Sequence, residues 1–184
     1  MLDVLRVDDK KFSLSLSLYF GVVWKEHRLL LPPPGSNNSG ASWLPIDLDF
    51  MRHLWVPNVF VYNLVQFTAV DCLDKLAGLW ILKENELFFN QYSQVTFMCP
   101  MRFDRFPLDE HKCKFMVGST NYDDTRMKFD NYKLDYDPSA GNTVLDYKID
   151  IKPMKEADRI LQYGDAGNYS LCGFEMTLTR NAAK

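Results

Sequence analysis

Residues 11–20, "KFSLSLSLYF", alternate strictly, with Phe12, Leu14, Leu16, Leu18 and Phe20 on one side and Lys11, Ser13, Ser15, Ser17 and Tyr19 on the other. A period of two predicts a strand with one buried and one wetted face, and it puts Tyr19 on the wetted face. After the break at Pro57, the apolar run 59–62 predicts a buried strand. Residues 79–98 read as a hairpin: strand 79–82, a turn at 83–86, and strand 87–98 with Ser93, Val95 and Phe97 opposite Gln94 and Thr96. A short strand is expected at 146–151. Near the end, Cys172, Phe174, Met176 and Leu178 are expected to share a core face, with Glu175, Thr177 and Thr179 on the other. The Pro/Gly/Ser/Asn stretch 31–42 and the Asp-rich stretch 119–142 supply turns. No repeat and no sustained helical period appears, so the pattern predicts an all-β sandwich or barrel.

Composition narrows the function. With 184 residues, 47% of them hydrophobic, one buried core and a single domain are expected. A net charge of -3, with Lys and Arg scattered, argues against a nucleic-acid partner. No apolar run approaches the roughly 20 residues that span a bilayer, so this stretch is expected to be soluble. His27, His53 and His111 are dispersed, and the nine glycines form no phosphate loop. The adjacent acids Asp8-Asp9 and Asp123-Asp124 read as solvated turns, because neighbours on a strand point to opposite faces. Nothing pairs a nucleophile with a base, so neither an enzyme nor a cofactor or metal site is expected.

Of four cysteines, Cys99 and Cys113 are close in sequence and flank turn formers, whereas Cys72 and Cys172 stand far apart. One bridge, Cys99 to Cys113, and two thiols are expected. A bridge implies an oxidising route, hence a secreted protein or an ectodomain. The sequons at Asn37 and Asn168 fit that compartment as glycosylation sites. Closing so small a ring contributes on the order of 3 kcal/mol in the loop-entropy model, which a simple staple would explain. The filling says more: Phe106-Pro107-Leu108-Asp109, with Pro107 able to adopt cis, predicts an exposed aromatic-proline tip, and exposed apolar tips mark contacts.

Two cysteines thirteen residues apart around Phe-Pro-x-Asp resemble the signature of the extracellular domain of Cys-loop receptors, the pentameric ligand-gated ion channels. Other segments follow in family order. Trp24-Lys25-Glu26-His27-Arg28-Leu29 resembles a Trp-x-Asp-x-Arg-Leu motif, with Glu for Asp. Trp55-Val56-Pro57-Asn58 is similar to Trp-x-Pro-Asp, with Asn58 for Asp. "CKFMVGS" (113–119) resembles the nicotinic pattern after the ring, while the "CPM" that opens the ring resembles anion-channel subunits, which leaves ion selectivity open.

The resemblance implies a twisted antiparallel β-sandwich of immunoglobulin-like type, on the extracellular side of a cell membrane, assembled as a ring of five identical or mixed subunits. It implies a small ligand bound between subunits, and amine transmitters would suit clustered tyrosines. On the principal face it points to Tyr62, Ser119, Thr120, Tyr163 and Tyr169; on the complementary face, to Tyr19, Trp80 and Asn90. Asp8, Asp9, Phe106, Pro107 and Arg180 would lie at the membrane end and couple binding to a transmembrane pore domain, with the chain 1–184 ending before the first membrane helix. The sequence also departs from the family. Thr120 stands where cation-binding members place an aromatic, Gly21 stands where receptors for carboxylate transmitters place an Arg, and no adjacent cysteine pair accompanies Cys172. A secreted transmitter-binding homologue is the alternative, although such proteins often abandon the Phe-Pro tip, which is retained here.

Overall fold

The computed structural model describes residues 2–29, 43–72, 74–82, 85–130, 133–135, 143–144 and 146–181. The loop 31–42 with Asn37, and Lys83 of the expected hairpin turn, lie outside them. Among the described residues the strands are β1 Leu2–Asp8, β2 Ser13–Lys25, β3 Leu44–Ile46, β4 Phe60–Val61, β5 Leu64–Ala69, β6 Ala77–Ile81, β7 Glu86–Met98, β8 Glu110–Gly118, β9 Thr143–Val144, β10 Tyr147–Pro153, β11 Ile160–Gln162 and β12 Asn168–Arg180. They form two antiparallel sheets, ordered β1-β2-β7-β6-β3 with β5 also on β7, and β4-β8-β12-β10-β9 with β11 also on β12. The all-β sandwich read from the alternation is the architecture found. Among the described residues helix is confined to short 3-10 turns such as Leu48–His53, where the Asp47 carboxylate accepts the Asp49 N–H.

The chain folds as two compact units, one of Met1–Leu18, Asn58–Thr68 and Gln94–Lys184, the other of Tyr19–Pro57 and Ala69–Ser93. In the first, the core is where side chains of the two sheets meet. Leu14 and Leu16 of β2 and Val95 and Phe97 of β7 are fully buried, as are Met176 and Leu178 of β12. Phe97 meets Phe115 edge-on at 5.3 Å, and Phe115 stacks on Phe174 at 4.8 Å. Such aromatic pairs add about 0.5–1.5 kcal/mol each beyond their burial.

In the second unit Trp24, Leu79 and Leu87 form the core, with Val22, Ile46, Met51, Leu54 and Phe89 packed on it. Beside it Glu26 is forked by Arg28, Nε to Oε1 at 2.8 Å and Nη2 to Oε2 at 2.7 Å, and it also accepts the Trp55 N–H. This fork holds the Glu26 carboxyl down at about 2. The Glu that replaces Asp in this motif therefore still ties the end of β2 to the segment before Pro57.

The structure departs from the pattern in several places, and Ser13 and Ser17, expected on the wetted face, are buried. Phe12, expected inside, is 44% exposed at φ +50° in the turn before β2, where its carbonyl accepts the Cys99 N–H at 2.7 Å; the strand begins at Ser13, and Phe20 is half-buried. The buried strand expected at 59–62 shortens to Phe60–Val61, with Val61 buried and Phe60 exposed. Cys172, expected on the core face with Phe174, pairs across from buried Val117 and is half-buried, while Leu171 is buried beside Gly118; the register runs unbroken through Gly173, at φ +143°. Burial pushes the Cys172 thiol up to about 11, so it stays protonated.

Candidate functional site

Tyr62 follows β4 in a turn, held by its own N–H on the Met116 carbonyl at 2.9 Å and by its hydroxyl, which donates to the Ser119 carbonyl at 2.7 Å. Its ring lies against β8 only because Gly118 has no side chain: a Cβ there would meet Tyr62 Cε2 at 2.6 Å. Tyr163 and Tyr169 come from the β11–β12 hairpin, paired Ile160↔Ser170 to Gln162↔Asn168 and turned through Gly164 at φ +45° and Gly167 at φ +90°. The two rings meet edge-on at 5.6 Å. Burial raises the Tyr62 hydroxyl above its ordinary value, and the nearness of the Tyr163 and Tyr169 hydroxyls raises it further. Tyr62, from far upstream, therefore lies within electrostatic reach of the Tyr163–Tyr169 pair in the first unit.

The polar pair expected on the principal face, Ser119 and Thr120, sits in a turn built around Asn58. Ser119 is buried, and its hydroxyl donates to Asn58 Oδ1 at 3.0 Å and accepts the Tyr122 N–H at 3.1 Å. It is a turn-holding residue. Thr120 is exposed and also donates to Asn58, from its N–H at 3.0 Å and its hydroxyl at 3.1 Å. In the sequence Asn58 stands only as a replacement for Asp; in the fold it is the acceptor that shapes the 119–121 turn. An amide oxygen suffices because every partner is a donor.

The hairpin is tethered from the side. Arg159 Nη2 donates to the Phe129 carbonyl at 2.7 Å, the Phe129 N–H donates to Ser170 Oγ at 3.0 Å, and the Asp124 N–H donates to the Asn168 carbonyl at 2.8 Å. Asn168 itself is exposed.

The complementary-face residues lie in the second unit. Tyr19 is 51% exposed and contacts Tyr92 at 4.9 Å between ring centroids. Trp80 stacks on Phe88 at 5.4 Å, and Trp43 meets Phe88 edge-on at 5.4 Å. Gly78 makes room for the Trp80 ring, since a Cβ there would lie 2.0 Å from it; Asn90 pairs across from Gly78. Phe88 and Tyr92 are not among the residues expected from the sequence, yet they fall at alternate positions with Asn90 on β7, so its own period carried the signal. At Gly21 an added Cβ would lie 3.0 Å from the Phe88 ring. Phe88 thus sits where a longer side chain at that position would start.

The expected bridge is present: Cys99 and Cys113 are joined. The ring between them exposes Phe106 at 65% and Leu108 at 72%, and the Phe106-Pro107 peptide is cis. The Arg180 guanidinium lies 5.0 Å over the Phe106 ring and 4.5 Å over that of Tyr147, and it also contacts the Tyr147 hydroxyl. Asp109, essentially buried, receives both Arg180 and His111, the latter at 2.6 Å. The sequence alone does not single out Tyr147 or His111 for this end of the domain, and it offers Asp109 only as the last residue of the Phe-Pro-x-Asp tip. Asp109 chiefly raises the Arg180 titration and burial chiefly raises that of Tyr147, with Asp9 a small contributor to each, while Asp8 accepts the Lys11 N–H at 3.0 Å and pairs with Arg6. Phe106, Pro107, Asp9 and Arg180 are thus gathered at one end of the first unit. Among the described residues no helix is long and apolar enough to cross a membrane.

A two-sheet β domain with an aromatic patch at a hairpin tip and a bridged, exposed loop is the build of a receptor's ligand-binding domain. The chain belongs to the neurotransmitter-gated ion-channel ligand binding domain family, whose model matches residues 1–181. It is similar to the gamma-aminobutyric acid receptor subunit rho-2 of Bos taurus, 23% identical over 175 residues, covering 95% of this chain and 37% of that one. It is also similar to subunit rho-1 of Homo sapiens, 23% identical over 180 residues with 95% and 36% covered, and to subunit alpha-2 of Rattus norvegicus, 27% over 137 residues with 72% and 28% covered. The chain thus spans about a third of the length of these curated relatives. Members of this family are receptors, not enzymes.

Proposed function

We propose that this chain is the extracellular part of a pentameric ligand-gated ion channel, and that it binds a small ligand through an ammonium group at Tyr62, Tyr163 and Tyr169. The observation that carries this is the convergence of those three rings. Aromatic faces attract a cation by up to about 2 kcal/mol each where water is excluded. The neighbouring subunit contributes the rings of Tyr19 and Trp80 and the amide of Asn90, so the principal and complementary sets come from different chains. The relatives' printed names supply gamma-aminobutyric acid, which carries an ammonium, as the first candidate. Its carboxylate would need a partner other than Gly21. Identical and mixed subunits would both present this geometry.

In the same reading Phe106, Pro107, Asp8, Asp9 and Arg180 face the membrane and pass the motion of the β11–β12 hairpin to a pore domain. The exposed Phe106 and Leu108 favour this over a secreted binding protein, which has no pore to touch. Ligand shifts such a two-state assembly only by its differential affinity for the open state. The test is thermal unfolding with tetramethylammonium, gamma-aminobutyric acid and a neutral isostere. A binder at a hundred times its Kd adds about 2.7 kcal/mol. Stabilisation by either ammonium but not by the isostere supports the reading, and equal effects of all three would overturn it.

A further inference from the structure

The sequon Asn168-Tyr169-Ser170 has Tyr at its middle position and Leu171 after it, so no proline blocks it. Asn168 is exposed and opens β12, and the Cys99–Cys113 bridge marks an oxidising route, the compartment where such sequons are modified. Its backbone carbonyl accepts the Asp124 N–H. Orientation follows from the strand. Tyr169 turns toward Tyr163, so its neighbours Asn168 and Ser170 project to the opposite face, and Ser170 Oγ meets the Phe129 N–H on that face.

We propose that Asn168 carries an N-linked glycan that stands on the side of the β11–β12 hairpin away from Tyr163 and Tyr169. In the transfer, Asn168 Nδ2 forms a bond to C1 of the first sugar of a lipid-linked oligosaccharide diphosphate. The C1–O bond to the diphosphate breaks, the lipid diphosphate leaves with the electron pair, and the amide loses one proton. Transfer acts on the unfolded chain, so the Ser170 contact to Phe129 is no obstacle. On the finished hairpin the sugar covers the outer face and leaves the tyrosine patch open, so it screens the hairpin from macromolecules and spares small ligands. This inference does not depend on the ligand proposed above.

The experiment is peptide mass analysis of the full chain secreted from eukaryotic cells, before and after peptide N-glycosidase, which turns a glycosylated asparagine into aspartate. The Asn168 peptide is expected only in glycosylated form before treatment, and with aspartate in place of that asparagine after it; Asn168→Gln and Ser170→Ala abolish the glycan, and Ser170→Thr retains it. Recovery of unmodified Asn168 from the folded, secreted chain overturns the site. Orientation is read by nitration of Tyr163, which is 51% exposed. Rates in the glycosylated and released forms are expected to agree within about threefold, and a larger rise on release would show the sugar lying over the tyrosines.

Discussion

Arg180 and Asp109 meet through two hydrogen bonds, Nε to Oδ1 at 2.7 Å and Nη2 to Oδ2 at 3.1 Å, although 71 residues separate them. The Asp109 side chain is 1% exposed and that of Arg180 11%. Arg180 holds the Asp109 carboxyl below its ordinary range, and His111 adds to this. The last residue of β12 is thereby fastened to the base of the bridged ring, with Phe106 under the same guanidinium.

Asp109→Asn leaves Arg180 facing a neutral amide in a largely dry site. Removing one partner of a buried pair costs about 3–5 kcal/mol, far above the roughly 0–1 kcal/mol of an exposed one. Urea unfolding should therefore show a lowered midpoint with an unchanged slope, whereas Lys112→Ala, whose pair with Glu110 is exposed, should leave the midpoint in place.

Glu26 sets a pH dependence. Its pKa is lowered from 4.5 to about 2 by Arg28, so the ionised form is favoured by folding. For a lowered carboxylate the stabilisation is complete above the unfolded value and is lost as pH falls from about 4.5 through about 2. Denaturant midpoints measured across that window should fall for the wild type. The fall should be shallower for Glu26→Gln, which begins less stable at neutral pH.

Much of this is legible in the sequence and some is not, for reasons that differ by residue. Strand β2 is readable because serines and large apolar residues alternate, and that period alone places Tyr19 on the exposed face; in β7 the signal is Val95 and Phe97 alternating with Gln94 and Thr96. The Cys99–Cys113 pairing is readable from closeness in sequence. Asp109 is invisible as an anchor because its partner Arg180 reaches it only through the β-sheet pairing of distant strands. Asn58 reads as a lost acid, whereas the fold asks only for an oxygen acceptor. Cys172 keeps the register of Phe174 and Met176, but a period of two does not encode that it is only half-buried.

Tyr62 separates two roles carried by one side chain. Tyr62→Phe removes the bond to the Ser119 carbonyl, a loss of about 1 kcal/mol in stability, but it keeps the ring, so ammonium affinity should change little. Tyr62→Ala removes the ring, and affinity should fall by up to about 30-fold, the equivalent of about 2 kcal/mol. Isothermal titration of both variants with tetramethylammonium checks the split; equal losses would place the binding energy in the hydroxyl.

Gly173 is where a single methyl group should do the most damage. Its φ of +143° belongs to glycine, and a Cβ built there would lie 1.8 Å from the Phe115 carbonyl oxygen, closer than any side-chain shift could relieve because the obstacle is backbone. Moving that carbonyl drags β8 away from β12 at the residue whose ring joins Phe97 to Phe174 in the core. Strain and lost packing then act together, and Gly173→Ala should cost more than about 3 kcal/mol. Gly164 is the control: at φ +45° it has nothing within 4 Å of an added Cβ, so Gly164→Ala should cost only the left-handed penalty of about 1–2 kcal/mol. Chemical denaturation of the two variants side by side checks the ordering, and similar midpoints would mean that β8 yields at Phe115 far more easily than a close-packed core allows.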